Sequence, residues 1–157
     1  MTSRLSHSFA DETRSHASLS GIISEDADFS EIIAAAQAHP LTLRLGDIQR
    51  ISSTGVREWI LFMRAVADAP HAVTLTEVAP TLVRQLNMID GFGGSAVIAS
   101  VVLPYYCDAC GKEHAQVLAV GPDDPRDIDA HRPCPHCGEQ AEFDDLPSSY
   151  LAFLGAP

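Results

Sequence analysis

The chain has 157 residues, 46% of them hydrophobic and 20% charged. That suits one soluble domain, or a small domain with an appendage, and a core of this size closes without disulfides. The formal net charge of −11 argues against a general binder of the nucleic-acid backbone.

The N-terminus, Met1-Thr-Ser-Arg-Leu-Ser-His, is polar and lacks the apolar core of a signal peptide. No apolar run approaches the roughly 18–20 residues of a membrane span. A cytoplasmic location is the default expectation. Residues 1–13 read as an edge strand or an arm, with Leu5 and Phe9 its large apolar groups. The run 16–23 reads as a strand with Leu19 and Ile22 or Ile23 facing a core, and Gly21 within it suggests a bulge. Ser24-Glu25-Asp26-Ala27-Asp28 offers an N-cap and an acidic first turn. A helix is expected to follow, with Phe29, Ile32, Ile33 and Ala36 on one face, stopped by His39-Pro40. Leu41-Thr42-Leu43-Arg44-Leu45 alternates apolar and polar, the period of a strand running to about Ile48 and open to interruption at Gly46-Asp47.

Residues 56–69 carry Val56, Trp59, Ile60, Met63, Val66 and Ala67 at helical spacing, ended by Pro70. A third alternating strand spans 71–78. Ala79-Pro80 then opens a helix with Pro in its first turn. Leu82, Val83, Leu86 and either Met88 or Ile89 form its stripe, and Gly91-Phe-Gly-Gly94 breaks it. The run 96–103 is apolar throughout and reads as a strand buried on both faces. Strands alternating with helices of this length predict an α/β fold with a parallel or mixed sheet. A module boundary is expected near Pro104, which divides the chain into 1–104 and 105–157.

Between the second strand and the helix that follows lies Ile51-Ser52-Ser53-Thr54-Gly55-Val56. Hydroxyl side chains are favoured there because they accept hydrogen bonds from the unpaired amides of the first helical turn. The same place favours added negative charge such as phosphate. The motif therefore reads as a helix cap or as a regulated hydroxyl.

All four cysteines fall in two pairs, Cys107-Asp-Ala-Cys110-Gly111 and Cys134-Pro-His-Cys137-Gly138. In a reducing compartment such pairs favour metal ligation over disulfides. Two thiolates separated by two residues grip one ion from a tight turn, and two such pairs complete the four-thiolate shell of structural Zn²⁺. A closed shell points to a structural rather than a catalytic ion. Redox thiols are the competing reading, but they predict one such pair at the start of a helix, whereas here the pair is duplicated and each copy is followed by Gly. His136, His114 and His131 lie near enough in sequence to replace a thiolate. Residues 113–120 read as a strand of the ribbon and 121–125 as a loop. Ala141-Glu-Phe143 follows, with Tyr150, Leu151, Phe153 and Leu154 available to dock on a core. A unit this small would owe much of its folding energy to the metal.

The charge is uneven. Residues 1–104 hold seven Arg against 11 Asp or Glu, and residues 105–157 hold three basic against ten acidic residues. Four thiolates around one divalent ion add a further charge of about −2. Nucleic-acid-binding ribbons need basic surfaces, so that use of the ribbon is the alternative rather than the leading reading.

Residues from about 14 to 104 resemble the STAS domain, the fold of bacterial anti-sigma-factor antagonists. The resemblance rests on Leu19-Ser-Gly21 with Glu25-Asp26 after it, the strand at 41–45, Ile51-Ser-Ser-Thr-Gly-Val56, and the strand at 73–78 leading to Pro80. It implies a STAS-like mixed sheet with helices; the small four-cysteine zinc ribbon that is expected to follow lies outside the resemblance. It further implies a non-catalytic regulatory module that binds protein partners, such as a switch kinase or an anti-sigma factor, through the face around the hydroxyl turn. Thr54 stands at the family's phosphoacceptor position and Ser53 at the preceding serine. Ser52 stands where the family usually carries Asp. Ser52, Arg57 and Glu58 would be partner contacts, although charges in a first helical turn are also commonly just solvated. Phosphorylation there adds roughly −1.5 to −2 charge and breaks an interface by repulsion. An enzyme is not expected, since the chain lacks a Gly-rich phosphate loop, H-E-x-x-H and G-x-S-x-G. Asp123-Asp124 and Asp144-Asp145 read as solvated turns.

Overall fold

In the computed structural model, which describes residues 4–155, side-chain alternation organises the first sheet. β1 (Ser6–Phe9) runs antiparallel to β2 (His16–Ile23). Ala17, Leu19 and Ile23 of β2 are buried, while Ser18 and Ser20 between them are half-exposed. The helix α1 (Ser30–Ala38) leads to β3 (Leu41–Ile51), where Leu41, Leu43 and Leu45 repeat the alternation. Then come α2 (Ser53–Ala67), β4 (Val73–Thr76), α3 (Pro80–Met88) and β5 (Val97–Ile98). The strand order is β1-β2-β3-β4-β5, with β2 to β5 parallel. Each helical crossover steps to the next strand in the same direction, so right-handed crossovers place all three helices on one face. That face holds the buried residues of the alternating strands.

The expected details change in three places. The helix α1 begins at Ser30, because Ser24 is used in a turn of its own, with the Ala27 amide donating to its carbonyl at 3.0 Å. Asp28 Oδ1 then accepts from Ser30 N at 3.0 Å. The strand β3 does not stop at Gly46-Asp47 but continues to Ile51. It accommodates extra residues by two bulges against β2, opposite Ser18–Ser20 and Gly21–Ile22. Gly21 sits there at φ 98°, where only glycine is unstrained. Finally, the apolar run 96–103 is not one strand, because it divides at Ala99. The Ala99 amide donates to Leu75 O in the first sheet, while its carbonyl accepts from Val120 N in the second, both at 2.9 Å.

Beyond that residue, β6 (Ser100–Tyr106) forms the second sheet with β7 (Glu113–Ala119), β8 (His131–Pro133) and β9 (Gln140–Phe143). The order is β7-β6-β9-β8, with antiparallel neighbours. Pro104 lies inside β6; it lacks an N–H, but its carbonyl accepts from Asp144 N at 2.9 Å. A short 3₁₀ turn, Ala152–Leu154, closes the described chain. It is tied to α3 through Asn87, whose side chain donates to Tyr150 O at 3.0 Å and accepts from Phe153 N at 2.8 Å. Tyr150 is buried, donates to Val102 O at 2.6 Å, and packs edge-on against Phe143.

Two contacts fix α2 in place, one to the turn after α3 and one to the first sheet. Trp59 is buried, donates its indole N–H to Phe92 O at 2.9 Å, and stacks on the Phe92 ring. Phe62 and Phe29 stack beside it with centroids 4.3 Å apart, so the helical stripe of Trp59, Phe62, Met63 and Val66 is filled with aromatic surface. The second contact is a close approach of backbone. A Cβ placed on Gly55 would lie 2.0 Å from Ile23 O and 2.6 Å from Ile23 C. Gly55 is therefore required by space, at a helical position where its conformational freedom is otherwise a cost.

The consequence can be measured by chemical denaturation. Gly55→Ala must push the start of α2 off β2 and is expected to lower the unfolding free energy by about 3 kcal/mol. Ser52→Ala removes only a cap and is expected to cost about 1 kcal/mol. Equal effects from the two substitutions would refute the steric argument.

Candidate metal centre

The strand order of the second sheet brings the two cysteine pairs together. One pair closes the hairpin between β6 and β7, and the other closes the hairpin between β8 and β9. Because β6 and β9 are antiparallel neighbours, with Tyr105 opposite Phe143 and Tyr106 opposite Glu142, both hairpin tips fall at the same end of the sheet. The tips are built alike. Gly111 N donates to Cys107 O at 2.8 Å, and Gly138 N to Cys134 O at 2.9 Å. Cys107 N donates to Lys112 O at 3.0 Å, and Cys134 N to Glu139 O at 2.7 Å. Gly111 and Gly138 adopt φ of 73° and 81°, the left-handed conformation that lets the chain turn back under the sulfurs.

The sulfurs of Cys107, Cys110, Cys134 and Cys137 all lie within 4.8 Å of one another. Cys107 is 3.6 Å from Cys137 and Cys110 is 3.7 Å from Cys134, so sulfurs from different hairpins meet. A tetrahedral ion with metal–sulfur bonds of about 2.3 Å has sulfur–sulfur edges of about 3.8 Å. The four donors therefore fit one tetrahedral ion. Cys107 and Cys134 are buried, Cys110 is half-buried and Cys137 is exposed, so the ion would sit at the rim of the core.

Proton affinities within the cluster diverge. Desolvation opposes ionisation of Cys134, but the amides of His136 and Cys137 and the neighbouring sulfurs bring its thiol down to about 7. Cys137 moves oppositely. Although the Glu139 amide favours its thiolate, desolvation and the three other sulfurs push it up to about 12. Four thiols this close do not lose their protons together without a cation between them. None of the nearby histidines joins the cluster among the described residues. His136 is exposed, His131 lies 3.9 Å from Glu142 on the surface, and His114 stacks on Tyr105 with centroids 5.2 Å apart. Burial holds the His114 imidazole below its ordinary proton affinity, helped by the neighbouring His136 and Arg132.

The hydroxyl turn forms a second, separate cluster at the start of α2. Ser52 is the N-cap, and its Oγ accepts from Gly55 N at 3.0 Å. The same oxygen lies 3.0 Å from Thr54 Oγ1, and Thr54 donates to Glu25 Oε2 at 3.1 Å. Glu25 is the partner that sequence reasoning did not find. It was legible as an acid of a presumed first helical turn and as part of the resemblance but not as a partner of Thr54, and the turn at Ser24 is what swings it over α2. Its own amide and then the Thr54 hydroxyl hold its carboxyl below the ordinary value, so it is ionised near neutrality. Ser53, Thr54 and Arg57 are exposed, whereas Ser52 and Glu58 are half-buried. Ser52 is thus held in the cap, while Ser53, Thr54 and Arg57 stand outward on one turn.

A cavity of about 420 Å³ lies between the end of α3, the glycine-rich turn and the C-terminal 3₁₀ turn, and Asp90 is its one titratable lining residue. No helix among the described residues is long and apolar enough to cross a membrane. The chain matches no family model, no curated protein and no solved structure.

The purified protein is expected to carry one metal ion per chain, read by native mass spectrometry. Bound thiolates compete with protons, so the metal-linked stability is present at neutral pH and is lost as the pH falls. Melting curves with and without chelator should therefore converge on acidification. Replacement of either buried ligand, Cys107→Ser or Cys134→Ser, should abolish stoichiometric loading. A chain that melts identically with and without chelator at neutral pH would contradict a metal centre.

Proposed function

We propose that this protein is a non-catalytic regulatory adaptor of the STAS type. In this reading it engages a protein partner through the outward side of the hydroxyl turn, and a structural Zn²⁺ held by the four cysteines orders its second sheet. Four thiolates and a closed tetrahedron are the donor set that structural zinc prefers. The metal needs no open position, since it would act by holding two hairpins together.

The observation that carries the partner-binding reading is the division within the turn. The cap oxygen of Ser52 is engaged with Gly55 N, while the neighbouring Thr54 hydroxyl is exposed and meets ionised Glu25 at 3.1 Å. The order of elements around it, a β1–β2 hairpin followed by three helical crossovers, is in keeping with a STAS-like mixed sheet. Phosphorylation of Thr54 would remove the hydroxyl hydrogen that Glu25 accepts and set a dianion against a carboxylate. That would drive the Ser24–Ala27 turn away from α2 and change the surface seen by a partner. The partner would be a switch kinase or an anti-sigma factor, as the resemblance implies. The exposed Arg57 is the basic contact available on the same turn.

The nucleic-acid alternative has no observation in its favour, because the ribbon half carries ten acidic residues against three basic ones. A catalytic role lacks a paired acid and base in the cavity beside Asp90.

The test is affinity capture followed by direct binding of the captured protein. Wild type and Thr54→Ala are expected to hold it, and Thr54→Glu is expected to weaken it at least about tenfold. A partner bound equally by Thr54→Glu would refute a switch at this turn. A salt-sensitive shift of DNA or RNA would refute the adaptor reading altogether.

A further inference from the structure

The two sheets present four edge strands, and three of them are blunted. β1 has four residues, β5 has two, and β8 has three, of which Arg132 carries a charge and Pro133 lacks an amide hydrogen. Short strands, charge and proline are the usual protections against edge-to-edge pairing. β7 carries a charge only at its first residue, Glu113. It is seven residues long, and from residue 114 to 119 (His-Ala-Gln-Val-Leu-Ala) it carries no Asp, Glu, Lys, Arg or Pro.

The polarity of this edge follows from its ladder with β6. Val120 N donates to Ala99 O and Cys107 N donates to Lys112 O, which fixes the even-numbered residues of β7 as those bonded to β6. In an antiparallel ladder, the N–H and C=O groups of Glu113, Ala115, Val117 and Ala119 then point away from the sheet. Their side chains share one face, and Val117 is 48% exposed. Opposite them on β6 lie Tyr106, Pro104 and Val102, of which Tyr106 is 38% exposed. The open edge therefore adjoins an apolar strip.

We propose that β7 pairs antiparallel with β7 of a second copy of this chain, across a two-fold axis near Gln116. This register joins outward-facing residues only, Glu113 with Ala119 and Ala115 with Val117, so every exposed ladder group on one copy meets its complement on the other. It also satisfies charge. Lys112, the chain's single lysine, is exposed and makes no ion pair among the described residues. Pairing about Gln116 sets it opposite Val120 of the second copy, beside the acidic turn holding Asp123 and Asp124. In a half this acidic, two copies would otherwise repel, and Lys112 is placed to offset the contact. The apolar strip of Val102, Pro104, Ala115 and Val117 would continue across the joint. A single strand pair covers less than a standard interface, so association is expected to depend on concentration.

Sedimentation velocity of the full metal-loaded chain over a hundredfold dilution series, about the range needed to cross a transition, tests this. The mass is expected to shift from two chains to one on dilution. Val117→Pro removes an outward N–H without touching the β6 ladder, and Val117→Glu sets like charges diagonally across the axis, against its own counterpart and against Glu113 of the second copy. Each should weaken association at least about tenfold, with metal content and melting temperature showing that the fold survives. Lys112→Glu, on the turn rather than in the strand, should also weaken it and make association strengthen with added salt, as screening of like charges requires. A chain that is monomeric at every concentration would overturn the proposal. So would a dimer that all three variants leave intact, or a chain that stays monomeric alone and adds a strand of another protein at this edge.

Discussion

The path from residue 97 to residue 106 is the constraint on which the molecule depends. Its first part closes the parallel sheet beside β4, and its second part is the central strand of the antiparallel one. At Ala99 the amide bonds one sheet and the carbonyl accepts from the other. Just beyond, Val78 N donates to Ser100 O at 3.1 Å and Val102 N donates to Val78 O at 2.9 Å. The loop leaving β4 is thus stitched to β6, and Glu77, at φ 48°, takes the unusual backbone that this needs, its amide donating to Ser100 Oγ at 2.7 Å. A buried strand cannot leave these groups unpaired without a cost of about 1–3 kcal/mol each. The hand-over therefore fixes where the second sheet starts. Tyr150 secures it from the far side by donating to Val102 O, and Asn87 ties the segment after Tyr150 to α3. Buried residues of both sheets consequently form one continuous hydrophobic cluster.

This arrangement changes the meaning of the metal. A ribbon on a flexible tether would owe its order to the ion alone. Here β6 is held by the first sheet, and an ion at the four sulfurs would have a narrower task, to bring the β8–β9 hairpin against the β6–β7 hairpin. β8 and β9 are short, and β9 meets β6 through Tyr105 and Tyr106 only. A few ladder bonds do not offset the entropy of closing the segment between the cysteine pairs. Four metal–sulfur bonds would. The acidity of this half adds to the argument, since one divalent cation offsets part of a local excess of negative charge that would otherwise oppose compaction.

Local patterns were legible in the sequence, and long-range reconciliations were not. The alternation of Leu41, Leu43 and Leu45, the stripe through Trp59, Met63 and Val66, Pro80 in a first turn, and the twin cysteine pairs each declare themselves within a few residues. The structure brings together the four sulfurs that this spacing implied. The division at Ala99 had no local sign, because an apolar run reads the same whether it serves one sheet or two. β8 has three residues, among them Arg132 and Pro133, and no periodicity can mark so short a strand. The start of α1 was displaced because Ser24 had two uses, as a cap or as a turn former, and the need to carry Glu25 toward α2 lies outside its own neighbourhood.

The hydroxyl turn shows most clearly how one motif separates structural from surface duties. Gly55 is held by the carbonyl of Ile23, which leaves no room for a Cβ. Ser52 N donates to the same carbonyl at 2.9 Å, and Ser52 Oγ accepts from Gly55 N. These two residues close the gap between β2 and α2, Gly55 by leaving room that no Cβ can take and Ser52 by capping the helix. Ser53 and Thr54 lie between them in sequence but point away from that contact. Thr54 bonds to exposed Glu25 and touches the half-buried cap oxygen of Ser52, and the Ser53 hydroxyl has no side-chain partner among the described residues. A modification of either would therefore alter charge and surface while the cap beneath held α2 in place. A turn that served only as a cap would need Ser52 and Gly55 alone. Two further hydroxyls, set outward on a backbone that is itself fixed, are what the proposed switch would modify without unfolding the helix that carries it.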